Sequence, residues 1–308
     1  MKNSLPHVSW WERYRKNLGL ISMVLPVLSY FLVFHYVPMM GLVIAFKDYV
    51  MSDGMFGSAW VGLENFARLF SSEDFPRAIG NTLTISLLRL SIGFFFPVIL
   101  ALLLNEVRQL GYKRSIQTLT YLPYFFSWVI LGGIFLMLFG SGGPINVGLK
   151  LLGAKESVNF LTDDAWFITV LIITGIWQGS GFGAIIYLAS LSGISPSLYE
   201  AATIDGANRW QQTIYITLPC LVPTMITLFI LSLGGILTAG FDQIYNMYNP
   251  MVFDVADIVD TYVLRRMMGL DLSLATAAGM FKGAVGLLLV VGANIFARKI
   301  SKGEQGVW

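Results

Sequence analysis

Long apolar runs separated by shorter polar stretches set the pattern of this chain. Runs at 18–46, 82–104, 116–139, 166–191, 221–240 and 280–296 are each long enough to cross a bilayer as a helix, which takes about 17–25 apolar residues. The pattern predicts an all-α integral membrane protein with six transmembrane helices. The first run is too long for a signal-peptide core and has no small-residue cleavage site after it, so it reads as a retained span. Residues 1–17 are polar and basic, with Trp10, Trp11, Arg13, Tyr14, Arg15 and Lys16 together, a mixture suited to the headgroup level. Residues 18–300 then form one membrane domain, and 301–308 a short tail.

Composition sharpens the picture. The 308 residues are 56% hydrophobic and 12% charged, with a mean hydropathy of +0.68, far from soluble averages. A net charge of +2 gives no reason to expect nucleic acid. Cys220 is the single cysteine and His7 and His35 the only histidines, so no internal disulfide or Cys/His metal cluster is expected.

Six spans put both termini on one side, and charge says which. With the N-terminus inside, 11 of the 20 Lys and Arg residues are cytoplasmic but only 5 of the 18 Asp and Glu residues are. An excess of basic residues marks the cytoplasmic face. Both termini and the loop at 193–219 are therefore expected in the cytoplasm.

That loop is the most informative stretch. Residues 200–219 read EAATIDGANRWQQTIYITLP, a polar segment patterned as two short helices about a turn. Ser195 and Pro196 suit an N-cap and first helical position, while Ser197 with Glu200 offers a competing capping-box register. Gly206 sits where the backbone must reverse. Pro219 is expected to stop one element and start the next.

Glu200, Ala201, Ala202, Gly206, Ile216, Leu218 and Pro219 match, without a gap, the signature loop of ABC-importer permeases. The phrase SPSLYEAATIDGA resembles sugar-type permeases of type I importers. AFKDY at 45–49 and the stretches Gly62–Phe70, Asn81–Ser86 and Val259–Val263 are similar to the oligosaccharide, aldouronate-type branch. The likeness covers nearly the whole chain. It implies a permease subunit of an ATP-driven importer in a bacterial cytoplasmic membrane, without catalytic activity of its own. Its implied partners are a second, homologous permease subunit, two cytoplasmic ATPase subunits holding ATP and Mg, an extracytoplasmic solute-binding lipoprotein and an oligosaccharide solute. The loop would be the coupling helix between spans four and five. Ala201 and Ala202 would allow close approach to the ATPase, Glu200 and Asp205 would supply polar contacts, and Ile216 and Leu218 would pack the second helix onto the bundle.

Sugars offer hydroxyls and flat CH faces, so neutral hydrogen-bonding groups beside aromatic rings suit a solute path. The resemblance places such contacts on the spans flanking the loop. Gln178 and Phe182 share a helix face, Trp177 and Gly179 adjoin them, and Ser232 and Asp242 are the candidates of the fifth span and beyond. Arg89 lies inside the second span, where a charge calls either for a bundle partner or for a solute role. Lys282 is expected to snorkel outward. Two glycine phrases are rejected as nucleotide sites. At 143–150 a leucine stands where a phosphate-binding loop needs lysine. GSGFGA at 179–184 follows no strand and reads as close helix packing. Other readings are a permease for a polyol or glycerol phosphate, an ion-coupled secondary transporter and an intramembrane enzyme. Paired intramembrane acids, an inverted repeat and a nucleophile–base set are not evident.

Overall fold

A computed structural model describes residues 17–300. The headgroup-level segment at the N-terminus and the tail at 301–308 fall outside that range but for Asn17. Among the described residues six helical stretches are long and apolar enough to cross a membrane: Leu18–Phe46, Asp74–Glu106, Trp128–Leu151, Asp164–Ser192, Arg209–Gly234 and Leu272–Ile295. The all-α expectation holds. The only strands described are two-residue pieces, Lys47–Asp48 against Ala59–Trp60.

The first span stands apart from the rest. Its helix Leu18–Phe31 has no buried residue, and the chain anchors only where it turns over at Ala45, which is fully buried. There the Asn65 amide donates to the Ala45 and Lys47 carbonyls, both at 2.9 Å. The second, fourth and sixth spans run longer than the apolar runs because polar first turns extend them, as Asp163 does by accepting the Trp166 amide.

The third run departs from the expectation of one span over 116–139. A helix already begins at Leu110 and takes in Lys113 and Arg114, shortening the expected basic loop. Pro123 then opens a 3-10 turn, and the backbone is extended at Phe126 and Ser127 before Trp128–Phe139 resumes. Proline cannot donate to the preceding turn, so the ladder breaks beside it.

Three apolar clusters hold the bundle. Val98, Ala101, Ala184, Tyr187, Leu191 and Leu221 join spans two, four and five at the end carrying the 193–219 loop. At the opposite end, one cluster gathers Phe135, Phe167, Leu171, Ile244 and Ile258. Another sets Phe75, Tyr262 and Ala277 around Ala45. The fourth span is central to this packing. In its GSGFGA phrase a Cβ at Gly181 would overlap the Thr120 carbonyl oxygen, and one at Gly183 would press on Pro97 at 3.0 Å. Gly181 and Gly183 serve close approach of helices.

Candidate coupling loop and solute path

Helix Pro196–Ile204 opens with Ser195 at the N-cap and Pro196 at the first position. Ser195 Oγ lies 2.8 Å from Ser197 Oγ, and the register based on Ser197 and Glu200 is not adopted. The helix closes in a Schellman motif: the Gly206 amide donates to the Thr203 carbonyl at 3.1 Å and the Ala207 amide to the Ala202 carbonyl at 2.8 Å. That closure needs a left-handed residue, and Gly206 has φ +81°. Asn208 then caps helix Arg209–Gln212 with a reciprocal capping box, its side chain accepting from the Gln211 amide and the Gln211 side chain accepting from its own. This N-x-x-Q signal is readable in the sequence, alongside the Ser195 and Ser197 registers of the first helix.

Cross-links make the two arms one unit. The Tyr199 hydroxyl lies 2.9 Å from Thr217 Oγ1, and Gln212 Nε2 donates to Thr203 Oγ1 at 3.0 Å. Arg209 pairs with Glu106, at the end of the second span, at 2.8 Å. Glu200, Ala201, Asp205 and Gly206 are exposed and Ala202 is half-buried. Two large apolar side chains stand out beside them, Ile204 at 87% exposure and Trp210 at 72%. These two groups give the exposed side of the loop an apolar component beside its polar residues.

Two expectations need correction. Pro219 does not end an element: the fifth span runs unbroken from Arg209 to Gly234 through a π-turn at Thr213–Thr217. Leu218 there donates to the Thr213 carbonyl, so the wider turn absorbs the donor that Pro219 lacks. Leu218 is itself exposed, while Ile216 is half-buried. Thr217 and Leu221 are the buried residues that seat the arm.

The candidates for the solute path fall into two groups. Gln178 and Phe182 do share a face, and both meet the 3-10 turn after Leu122. Phe182 stacks on Tyr124 at 4.0 Å, and Gln178 Nε2 reaches the Tyr124 carbonyl at 3.4 Å. Trp177 packs edge-on to Phe135 at 5.7 Å and lines an apolar groove of about 740 Å³ with Ile92, Phe96 and Leu119. A Cβ at Gly179 would meet nothing within 4 Å. Ser232 and Asp242 lie elsewhere. Ser232 lines a cavity of about 340 Å³ with Ser86, Arg89 and Thr238, and Asp242 lines one of about 560 Å³ with Trp128, Gln243 and Asp260. Both cavities are bounded by Thr238 and Gly240.

Two cations sit well inside the spans, and they are treated differently. Lys282 does not snorkel: its ammonium meets both Asp260 oxygens, at 2.6 and 2.7 Å, so an ion pair replaces the reach to water. Arg89 donates to the amide oxygen of Gln243. Gln243 is fully buried and donates to the Leu171 carbonyl at 2.8 Å and Thr174 Oγ1 at 2.7 Å. A charge at mid-bilayer costs about 2.5–3.5 kcal/mol on insertion scales. Nearby, Arg265 grips the buried carboxylate of Asp257. Burial pushes its pKa down, but the bond to Asp257 more than offsets this and holds it above the usual value.

Residues 93–303, which contain the whole loop, match the model of the binding-protein-dependent transport system inner membrane component. The chain belongs to that family. Members of the family are membrane transport components, not enzymes, and the six spans make this one a multi-pass membrane permease. The permease is 45% identical, over 94% of its length and 90% of the relative's, to the polygalacturonan/rhamnogalacturonan transport system permease protein YteP of Bacillus subtilis (strain 168). Protein LplB of the same organism is 43% identical over 96% of this chain and 93% of its own. Among solved structures, a chain of the bacterial alginate ABC transporter in complex with alginate pentasaccharide-bound periplasmic protein superposes with a TM-score of 0.89. It is 42% identical, covering 97% of this chain and 99% of that one.

Proposed function

We propose that this chain is one of two homologous permease subunits in an ATP-driven importer for oligosaccharides or polysaccharide fragments. Two cytoplasmic ATPase subunits would hold ATP and Mg, and an extracytoplasmic lipoprotein would deliver the solute. The termini and the 193–219 loop lie in the cytoplasm in this reading, as the charge asymmetry supports. The carrying observation is the loop: a cross-linked pair of short helices that presents Glu200, Ala201, Asp205, Ile204 and Trp210 outward. A body that is itself rigid and joined to spans two, four and five can turn ATPase closure into rocking of those spans. The saccharide class is supported by the names of the relatives, transporters of polygalacturonan/rhamnogalacturonan and alginate. It is also supported by hydroxyl and aromatic groups along the cavities at Thr238.

The test is co-purification of the ATPase from detergent-solubilised membranes with tagged wild type, beside a Gly206→Trp variant checked for equal insertion and stability. A Cβ at Gly206 meets nothing within 4 Å inside the chain, so the tryptophan acts on whatever docks there and on the local turn. Wild type is expected to bring down the ATPase and the variant to lose it. Wild type that captures no ATPase under conditions preserving known complexes sinks the importer reading.

A further inference from the structure

We propose that Arg89 is the anion-recognition residue of the solute path, taking the carboxylate of an acidic saccharide. This rests on the saccharide-permease reading and narrows it to sugar acids. The first ground is charge balance. Among the described residues Lys282 is matched by Asp260, Arg265 by Asp257, and Arg77 by Asp74 and Asp254, whereas no carboxylate lies within ion-pair distance of Arg89. Arg89 also lies near the middle of the 33-residue helix Asp74–Glu106. At 1.5 Å per residue that is about 22–25 Å from either end, too deep for the guanidinium to reach water at a membrane surface.

The second ground is that the guanidinium is held in place. Gln243 offers its amide oxygen to Nη2 because its NH₂ is committed to Leu171 and Thr174. A Cβ at Gly240, which has φ +75°, would overlap the guanidinium, and one at Gly175 would stand 3.6 Å from Arg89 Cζ. Arg89 Nε is buried without a hydrogen-bond partner. A neutral amide orients the charge without neutralising it, so an arriving carboxylate displaces no resident ion pair.

The third ground is the cavity that Arg89 lines. Ser86, Ser232 and Thr238 place hydroxyls around it, and beyond Thr238 the adjoining cavity adds the Trp128 ring. One fixed cation, several hydroxyls and one aromatic face are the complement of a uronic acid unit. Of the two carboxylates lining that second cavity, Asp260 is engaged by Lys282 and Asp242 is exposed.

The experiment uses the complete transporter, with its ATPase and binding protein, in proteoliposomes supplied with ATP. Uptake of trigalacturonate is compared with that of its methyl ester, which keeps the sugar and removes the charge. Comparing the acid-to-ester ratio between variants cancels the preference of the binding protein. Wild type is expected to favour the acid, and Arg89→Gln to lower the ratio about ten-fold or more, the weight of a charge-assisted hydrogen bond. Gln243→Glu keeps the guanidinium but supplies an internal carboxylate, and is expected to lower the ratio as well. It carries the test if Arg89→Gln fails to assemble. An unchanged ratio in either assembled variant overturns the assignment. So does an equal loss of both solutes, which would mark Arg89 as a structural group or a partner-subunit ion pair. Equal uptake of acid and ester by wild type overturns the sugar-acid inference and leaves the saccharide permease standing. ATP-driven uptake of neither, by a complex whose ATPase is active, overturns the sugar-acid inference, while loss of ATPase capture in the co-purification above tests the importer reading separately.

Discussion

The Tyr199 hydroxyl lies 2.9 Å from Thr217 Oγ1, joining the two arms of the signature loop across the turn at Gly206. Thr217 is buried, and its hydroxyl also donates to the Gln212 carbonyl at 3.3 Å. Removing either hydroxyl, by Tyr199→Phe or Thr217→Val, is expected to cost about 0.5–1.5 kcal/mol. The double variant should cost less than the two together, because the shared bond is lost once. Unfolding of the purified chain in mixed micelles measures the cycle. Strict additivity would show that the two groups do not hold each other. In the assembled transporter, loosening the loop should raise the amount of ATP that the ATPase subunits hydrolyse per solute imported.

Gly206 separates a backbone requirement from a docking requirement. Its φ of +81° disfavours any residue with a Cβ, yet the space around it is open. Gly206→Ala is therefore expected to weaken ATPase capture by about ten-fold, through the 1–2 kcal/mol cost of a left-handed L-residue. Gly206→Asn should weaken it less, since asparagine tolerates that region. Binding isotherms for the three chains decide the matter. Alanine binding as tightly as glycine would show that the turn adjusts freely.

The GSGFGA phrase gives a contrast between neighbours. Gly181 faces the Thr120 carbonyl with no room for a methyl group, while a Cβ at Gly179 meets nothing within 4 Å. Gly181→Ala must push two helices apart and should lose about 1–3 kcal/mol or more, as overpacking does. Gly179→Ala should be near neutral for stability. Thermal unfolding of both variants checks this, and equal effects would contradict a packing role specific to Gly181. A loss of transport in Gly179→Ala without loss of stability would support its place in a solute path.

How much of this was legible in sequence follows from how local each signal is. Pro196 and Gly206 act on their own backbone, and the structure uses them as their chemistry suggests; Ser195 takes the N-cap position, but its hydroxyl meets Ser197 rather than a helix amide. The apolar runs likewise gave the number of spans, because a bilayer sets their length, but the third, expected at 116–139, lies at Trp128–Leu151. Pro219 misled because the π-turn at Thr213–Thr217, just before it, reshapes the ladder before the missing donor matters. The break at Phe126 and Ser127 is flagged in the sequence only by Pro123, three residues earlier, because hydropathy does not register an extended backbone. Arg89 and Gln243 stand 154 positions apart, and no periodicity links them. Gln178 and Phe182, with Trp177 beside them, are sugar-path candidates by spacing; the structure stacks Phe182 on Tyr124 and lines an apolar groove with Trp177. Which face of a membrane helix meets its bundle is decided by neighbours that spacing alone does not name.

In the polar stretch between spans five and six, Arg265 grips Asp257 through two hydrogen bonds of 3.0 and 2.9 Å. The two partners are unequally placed: the Asp257 side chain is 0% exposed and that of Arg265 is 35% exposed. Removing the arginine strands a buried carboxylate with only the Thr261 hydroxyl at 2.8 Å, and also loses the guanidinium over the Phe253 ring at 4.5 Å. Arg265→Met is accordingly expected to cost about 3–5 kcal/mol. Asp257→Asn keeps an acceptor for Thr261 and leaves a cation that water can reach, so its cost should be about 1–2 kcal/mol. Thermal unfolding of the detergent-purified chain ranks the two. If Asp257→Asn proves the more damaging, the carboxylate has a role beyond neutralising Arg265, and the stretch is held together by something other than this pair.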